Sequence, residues 1–214
     1  MGWLTSFFLS SIGKKTGMAL TGLFLGLFMV VHLIGNATAF AGRATFLAYS
    51  EHLHGLGMLV TIFELLLLFA LLGHLSLAGL LFLENRKARP IRYQVVAGSS
   101  TLAAKTMIYT GLLILVFIGV HLADFHFSAG SRPMADTVRA TLSRPWSAAY
   151  YIVSGLALAL HVSHGFWSLF QSLGLEHPRY SPLIKGVAAF FSIALGLVFT
   201  LIPLLALFSP NFLA

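Results

Sequence analysis

Long runs of apolar residues, separated by short polar segments, dominate the chain. Five runs contain the roughly 20 apolar residues that a helix needs to cross the hydrocarbon core of a bilayer. They extend over residues 16–40, 55–83, 103–123, 147–173 and 183–208. Because the bilayer core offers no water to satisfy backbone N–H and C=O groups, helices are the expected way across. The pattern predicts an all-α membrane protein built as a five-helix transmembrane bundle.

The composition agrees with residence in lipid. Hydrophobic residues make up 58% of the 214 residues and charged residues only 9%, whereas soluble domains carry about 25% charged residues. We expect one membrane domain over residues 1–214, with no internal repeat and little mass outside the bilayer. The sequence contains no cysteine, which excludes disulfides, iron–sulfur clusters and covalently attached c-type haem.

The net charge is +7. Because the placement of the cations along the chain is explained by membrane topology, no nucleic-acid partner is expected. With the N-terminus in the cytoplasm, nine cations fall in the inner segments: Lys14, Lys15, Arg86, Lys87, Arg89, Arg92, Lys105, Arg179 and Lys185. The outer segments hold four: Arg43, Arg132, Arg139 and Arg144. Since Lys and Arg concentrate on the cytoplasmic side, we predict a multi-pass protein of the cytoplasmic membrane with its C-terminus outside.

Four histidines lie inside four different apolar runs: His32, His74, His121 and His161. An ionisable side chain within a span costs free energy and usually marks function. A helix rises about 1.5 Å per residue, which places two of these rings in the outer half and two nearer the inner face. His32 pairs with His121 by depth, and His74 with His161. Because two histidines from different helices can hold one iron, the pattern predicts two haem b groups in the bundle.

The same four histidines are also compatible with simpler roles. Each ring could hydrogen-bond between helices and serve packing alone, which would give a haem-free structural or transport bundle. Zinc fits less well because no carboxylate lies at a matching height. His164 follows His161 by three residues and is an alternative ligand, a donor to the ligand, or a contact to quinone or a haem propionate. Asp124, just past His121, could orient a ligand or accept protons.

Further polar residues are candidates around these centres. Glu64 is the one carboxylate clearly inside a span, and Glu51 lies at the outer mouth of the second span. Either could accept protons from quinol, and either could be an acid without a catalytic role. Lys14, Arg86 and Arg89 could pair with haem propionates, although a role in determining topology would also account for them.

Several short motifs in order carry a resemblance to a known family. They are residues 10–15 (SSIGKK), 18–23 (MALTGL), 31–36 (VHLIGN), 73–74 (GH), 120–122 (VHL) and 161–174 (HVSHGFWSLFQSLG). Together they resemble the cytochrome b subunit of succinate:quinone oxidoreductases, which comprise succinate dehydrogenases and quinol:fumarate reductases. The chain is similar to the single-anchor, five-helix, two-haem type over essentially its whole length.

The resemblance implies one iron ligand from each of the first four helices. It favours His161 over His164, since the family's fourth ligand stands four residues before a glycine, as His161 does before Gly165. It also implies a flavoprotein subunit and an iron–sulfur subunit on the cytoplasmic face, which would carry the dicarboxylate chemistry. Electrons would pass between those subunits and a membrane quinone, with menaquinone and menaquinol expected because two-haem anchors commonly serve low-potential quinones.

Two points stay open within this interpretation. A dimer of the whole complex is compatible with the sequence but is not indicated by it. A diheme anchor of another dehydrogenase, such as a hydrogenase or formate dehydrogenase, is the alternative function. Such an anchor would often carry two ligands on one helix and would lack a motif like residues 161–174.

Overall fold

The computed structural model describes residues 2–88, 102–127 and 132–214, and every regular element in these ranges is helical. Arg89 and Arg92, two of the predicted inner cations, lie outside the described residues. The helices are α1 (Trp3–Leu9), α2 (Ser11–Ala37), α3 (Arg43–Gly55), α4 (Met58–Ala88), α5 (Leu102–His121), α6 (Met134–Leu142), α7 (Pro145–Ser172) and α8 (Ser181–Phe208). A 3-10 turn (Thr38–Ala41) follows α2, and a π-helical turn (Leu122–His126) extends α5.

Five of these segments are long and apolar enough to cross a membrane. They are Ser11–Ala41, Met58–Ala88, Leu102–His126, Pro145–Ser172 and Ser181–Phe208. The predicted all-α architecture with five spans is therefore confirmed, and the chain is a multi-pass membrane protein.

Local sequence determines where several spans begin. Ser10 has an extended backbone, and its hydroxyl accepts a hydrogen bond from the Gly13 N–H at 3.0 Å. This N-cap satisfies one of the free donors in the first turn of α2. Pro145 is the first residue of α7 and Pro182 the second of α8, positions where the missing proline N–H costs no helical hydrogen bond.

Two helices outside the spans form a cap at one end of the bundle, called the outer end after the predicted orientation. The cap consists of α3 and α6, which lie in the connections before α4 and before α7. On α6, Ala135, Val138 and Leu142 are buried, at the three- and four-residue spacing of an amphipathic helix. They share one core with Phe46 of α3 and Tyr151 of α7. The outer end thus holds more structure than the sequence predicts.

An ion pair aligns the parts of the cap. Arg43 donates to both carboxylate oxygens of Asp136 at 2.5 and 2.9 Å, and to the Leu213 carbonyl at 3.0 Å. The Arg43 guanidinium lowers the pKa of the Asp136 carboxyl below its usual value. Because both side chains stay partly exposed, the pair adds little stability and mainly fixes how α3, α6 and the C-terminal segment meet.

The spans pack unevenly around the bundle. Between α7 and α8, Gly155 packs against Phe199 and Gly196 against Ala159, so closely that a Cβ on either glycine would lie 3.1 to 3.3 Å from its neighbour. By contrast no residue of α4 is buried, and α4 packs mainly against α2. The wall formed by α4 is therefore the loosely packed side of the described bundle.

Ala135 tests whether the cap has a packed core. Its side chain is fully buried, while Ala140 on the same helix is exposed. Ala135→Leu should lower the free energy of unfolding by about 1–3 kcal/mol, because the added methyl groups force neighbouring side chains apart. Ala140→Leu should stay within about 0.5 kcal/mol of the parent. Chemical denaturation in detergent micelles compares the three proteins, and equal loss in both variants would contradict a packed cap.

Candidate functional site

His32 and His121 face each other near the outer end of the bundle. Their ring centres lie 5.8 Å apart, with the ring planes at 87°. Two imidazoles whose nitrogens each lie about 2 Å from a shared metal have ring centres roughly 6 Å apart. Phe28 stacks on His32 at 5.2 Å, and Phe117 lies 5.4 Å from His121. Aromatic side chains therefore hold both rings at a separation that suits a shared metal.

One ring nitrogen of His121 lacks a hydrogen-bond partner among the described residues. That atom, Nδ1, is buried. Leaving a buried polar atom unpaired costs about 1–3 kcal/mol, so an unpaired polar atom in a native protein calls for a bound group or a functional reason. The unpaired nitrogen therefore marks the outer ring pair as a candidate site for a bound group.

The π-helical turn after His121 positions two further polar residues. Asp124 accepts a hydrogen bond from the Tyr151 hydroxyl at 2.8 Å, and the Tyr151 ring centre lies 6.2 Å from that of His121. His126 Nδ1 lies 3.6 Å from a carboxylate oxygen of Glu64 on α4. π-helical turns are rare and are frequently found at functional sites. The turn thus links α5 to α7 and to α4 just beyond the outer ring pair.

His74 of α4 and His161 of α7, the predicted second pair, lie nearer the inner end. The Thr21 hydroxyl oxygen of α2 lies 3.2 Å from Nδ1 of His74, and that of Thr110 of α5 lies 3.2 Å from Nδ1 of His161. With each Nδ1 next to a threonine, each Nε2 is the nitrogen available for a metal. The outer pair that depth predicts thus has its two rings face to face, and the inner pair stays a prediction.

A glycine lies against each inner ring. Gly22 and Gly111 directly follow the two threonines, and a Cβ on either would lie 3.3 Å from Cε1 of His74 or His161. That distance is shorter than an ordinary van der Waals contact between carbons. Each inner histidine therefore sits against a Thr-Gly pair on a neighbouring helix, and a side chain in place of the glycine would push the ring away.

An internal repeat marks the two threonines, which the sequence-based candidates miss. Residues 18–33 and 107–122 share Met, Thr, Gly, Leu, Phe, Val, His and Leu in the same register, 89 residues apart. The expectation of no internal repeat is therefore wrong. In each copy the threonine contacts an inner histidine, and eleven residues later a histidine belongs to the outer pair. Eleven residues correspond to about 16 Å of helix, which separates the two ring pairs.

Glu51 is not part of either histidine pair. It lines a cleft of about 220 Å³ in the cap, together with His54, Arg132 and Met134. Glu64 lies instead within α4, in the pair with His126. The two predicted proton acceptors thus belong to separate places at the outer end.

The remaining candidates lie toward the inner end. Lys14 forms an ion pair with Glu84, which joins α2 to the end of α4. Arg86 is in the last turn of α4. His164 lies one turn beyond His161 on α7. The charge of Lys14 therefore already has a carboxylate partner within the chain.

The donor set fits haem better than a metal ion bound by protein alone. In the described ranges, no group of three or more His, Cys, Asp or Glu side chains lies close enough to hold a metal ion. Each ring pair supplies two ligands, and the other four positions on an iron would come from a haem macrocycle. The facing rings, the free ring nitrogens and the loosely packed α4 wall all suit such a group.

Two adjacent tyrosines test the anchoring of the π-helical turn. Tyr151→Phe removes the donor to Asp124 and should lower the free energy of unfolding by about 1.5–3 kcal/mol, the range for a hydrogen bond to a charged group. Tyr150→Phe is the control, because the buried Tyr150 hydroxyl has no partner among the described residues; it should be neutral or slightly stabilising. Denaturation profiles of both variants check this, and a loss in Tyr150→Phe equal to that in Tyr151→Phe would count against the Asp124 contact.

Comparison with known proteins adds one relative. The chain is 24% identical over 177 residues to the succinate dehydrogenase cytochrome b558 subunit of Bacillus subtilis (strain 168). The aligned segment covers 81% of this chain and 86% of the relative. No family model matches the chain, and no solved structure matches it. The similarity spans most of both proteins and supports the resemblance to membrane cytochrome b subunits.

Proposed function

We propose that this chain is the diheme cytochrome b anchor of a succinate:quinone oxidoreductase or quinol:fumarate reductase. The observation that carries the proposal is the set of four intramembrane histidines, one from each of four spans, with His32 facing His121 and with His74 and His161 each against a Thr-Gly pair. Similarity to a succinate dehydrogenase cytochrome b558 subunit supports the same function. The chain would anchor the complex and exchange electrons with membrane quinone.

His32 and His121 would hold the outer haem, and His74 and His161 the inner haem. Haem, when bound, supplies one-electron transfer, which suits a quinol that gives up two electrons. The residues of the chain position the ring nitrogens and keep the surroundings apolar. His161 is preferred over His164 because it is the ring that Thr110 contacts.

Glu64 and His126 would accept the two protons of quinol. Oxidation of quinol to quinone releases two electrons and two protons, and a carboxylate beside a neutral imidazole can take one proton each. Both side chains are about half exposed within a membrane-spanning segment, where a lipid-soluble quinol can reach them. Phe63 precedes Glu64 in the sequence, and its ring centre lies 6.4 Å from that of Phe28, which stacks on His32. The acceptor pair therefore lies beside the outer ring pair.

Glu51 is the alternative acceptor. Its cleft offers a histidine and an arginine to a polar headgroup, but it lies in the cap rather than within a span. A cleft of about 220 Å³ is also below the usual size of sites for small organic ligands.

The inner end would face the cytoplasm and carry the partners. A flavoprotein subunit and an iron–sulfur subunit would dock there, near the cations Lys14 and Arg86, with the N-terminus inside and the C-terminus outside. Menaquinol is the expected quinol. Arg86, rather than Lys14, would be free to pair with a haem propionate, because Lys14 is paired with Glu84.

Replacing single histidines tests the ligand assignment. The parent should hold two haem b groups per chain. His32→Ala or His121→Ala should each leave one, and so should His74→Ala or His161→Ala, because each haem would be held by both rings of its pair. His52→Ala, at an exposed site of the cap, is the control and should keep both. Pyridine haemochrome counts with reduced-minus-oxidised spectra measure this. A parent without haem, or a haem count unchanged in His74→Ala, would contradict the proposal.

Replacing the two carboxylates separates the proton acceptors. Glu64→Gln should slow quinol oxidation by the assembled complex about 10²-fold or more, the usual scale for a lost general base, while both haems remain. Glu51→Gln is the matched control and should leave the rate within a factor of about two. Quinol-dependent reduction of the haems, followed by stopped-flow absorbance, distinguishes them. The reverse order of the two rates would move the acceptor site to the cap.

A further inference from the structure

The two threonine hydroxyls each have their own proton already committed. Thr21 Oγ1 donates to the carbonyls of Gly17 and Met18 at 2.9 and 3.1 Å, and Thr110 Oγ1 donates to those of Thr106 and Met107 at 3.1 and 3.0 Å. A hydroxyl has one proton and two lone pairs. With that proton on a backbone carbonyl, each threonine oxygen is the acceptor toward the histidine.

The direction of these hydrogen bonds determines the tautomer of both rings. With Thr21 as the acceptor, Nδ1 of His74 carries the hydrogen, and Thr110 favours the same tautomer of His161. A neutral imidazole protonated at Nδ1 has its lone pair on Nε2. Both inner rings thus present an unprotonated Nε2, the form that binds a metal.

The outer pair is built differently. His121 Nδ1 has no partner among the described residues, and His32 is surrounded by the aromatic rings of Phe28 and Phe199. The repeat thus combines two roles in each copy: its threonine serves the inner pair, and its histidine belongs to the outer pair. A hydrogen bond from Nδ1–H makes an imidazole a stronger electron donor, so the two pairs differ in donor strength.

We propose that Thr21 and Thr110 are positioning residues that hold His74 and His161 as Nδ1–H tautomers and lower the midpoint potential of the inner haem. This inference rests on the proposed function, because it assigns the inner pair to a haem. A stronger imidazole donor stabilises ferric over ferrous iron. Removing the hydroxyls should therefore raise the potential of the inner haem and leave the outer haem as it was.

Valine substitutions remove each hydroxyl while keeping the branched shape. Thr21→Val and Thr110→Val should each shift the inner midpoint potential upward in a spectroscopic redox titration of the purified chain, and the double variant should shift it further. Removing the hydrogen-bond partner of a metal ligand typically lowers metal affinity about 10–100-fold. Partial loss of the inner haem is therefore the second expected effect. The redox signal of the inner haem is identified as the one that disappears in the His74→Ala variant.

Two controls separate hydrogen bonding from packing. Thr21→Ser and Thr110→Ser keep the hydroxyl and should restore both the potential and the haem content. Thr106→Val removes a hydroxyl one turn earlier on α5 that donates to Leu102 and Ala103 carbonyls; it should change neither haem. The inference is overturned if the valine variants keep the parent potential and haem content, or if serine behaves like valine.

The outcomes also distinguish this inference from the proposed function. A parent that holds two haems whose potentials are insensitive to both threonines would overturn the positioning role alone. A parent that holds no haem would overturn the proposed function and this inference with it.

Discussion

An imidazole ring inside an apolar bundle carries two nitrogens, and each needs a partner that lipid and aliphatic side chains cannot supply. This requirement shapes the centre of the protein. For the inner rings, a threonine on the neighbouring helix satisfies one nitrogen and leaves the other for a ligand. For the outer rings, the facing imidazole and phenyl rings fix the geometry without satisfying His121. The proposed haems, bound through ring nitrogens, would complete both arrangements.

The packing of the helices follows from the same requirement. Buried side chains concentrate in the cap and along the α7–α8 contact, where glycines allow close approach. The α4 helix, which carries His74 and Glu64, buries none of its residues. The packed cap and the close α7–α8 contact can hold the histidine frame, while the α4 wall is where the proposed function would place the macrocycle and the access of quinol. Stability and function thus draw on different parts of the bundle.

The sequence predicts the parts of this structure that depend on one-dimensional patterns. The five spans follow from apolar length, and the pairing of His32 with His121 follows from counting residues along two helices that run in the same direction. Helix α6 is not predicted, because its buried face consists of Ala135, Val138 and Leu142 within nine residues, too short a pattern to stand out. The contacts of Thr21 and Thr110 depend on how neighbouring helices are rotated, which hydropathy does not encode. The repeated Thr-Gly-Leu before each outer histidine is the signal that could have indicated them.

Low-temperature electron paramagnetic resonance of the oxidised, purified chain tests the central claim most directly. Two imidazoles on one iron give a low-spin ferric centre, so two facing pairs predict two low-spin signals of equal intensity, together accounting for two spins per chain. A dominant high-spin signal would mean that one axial position is open and that a histidine pair does not close on iron. Absence of any haem signal would return the four histidines to a role in helix packing.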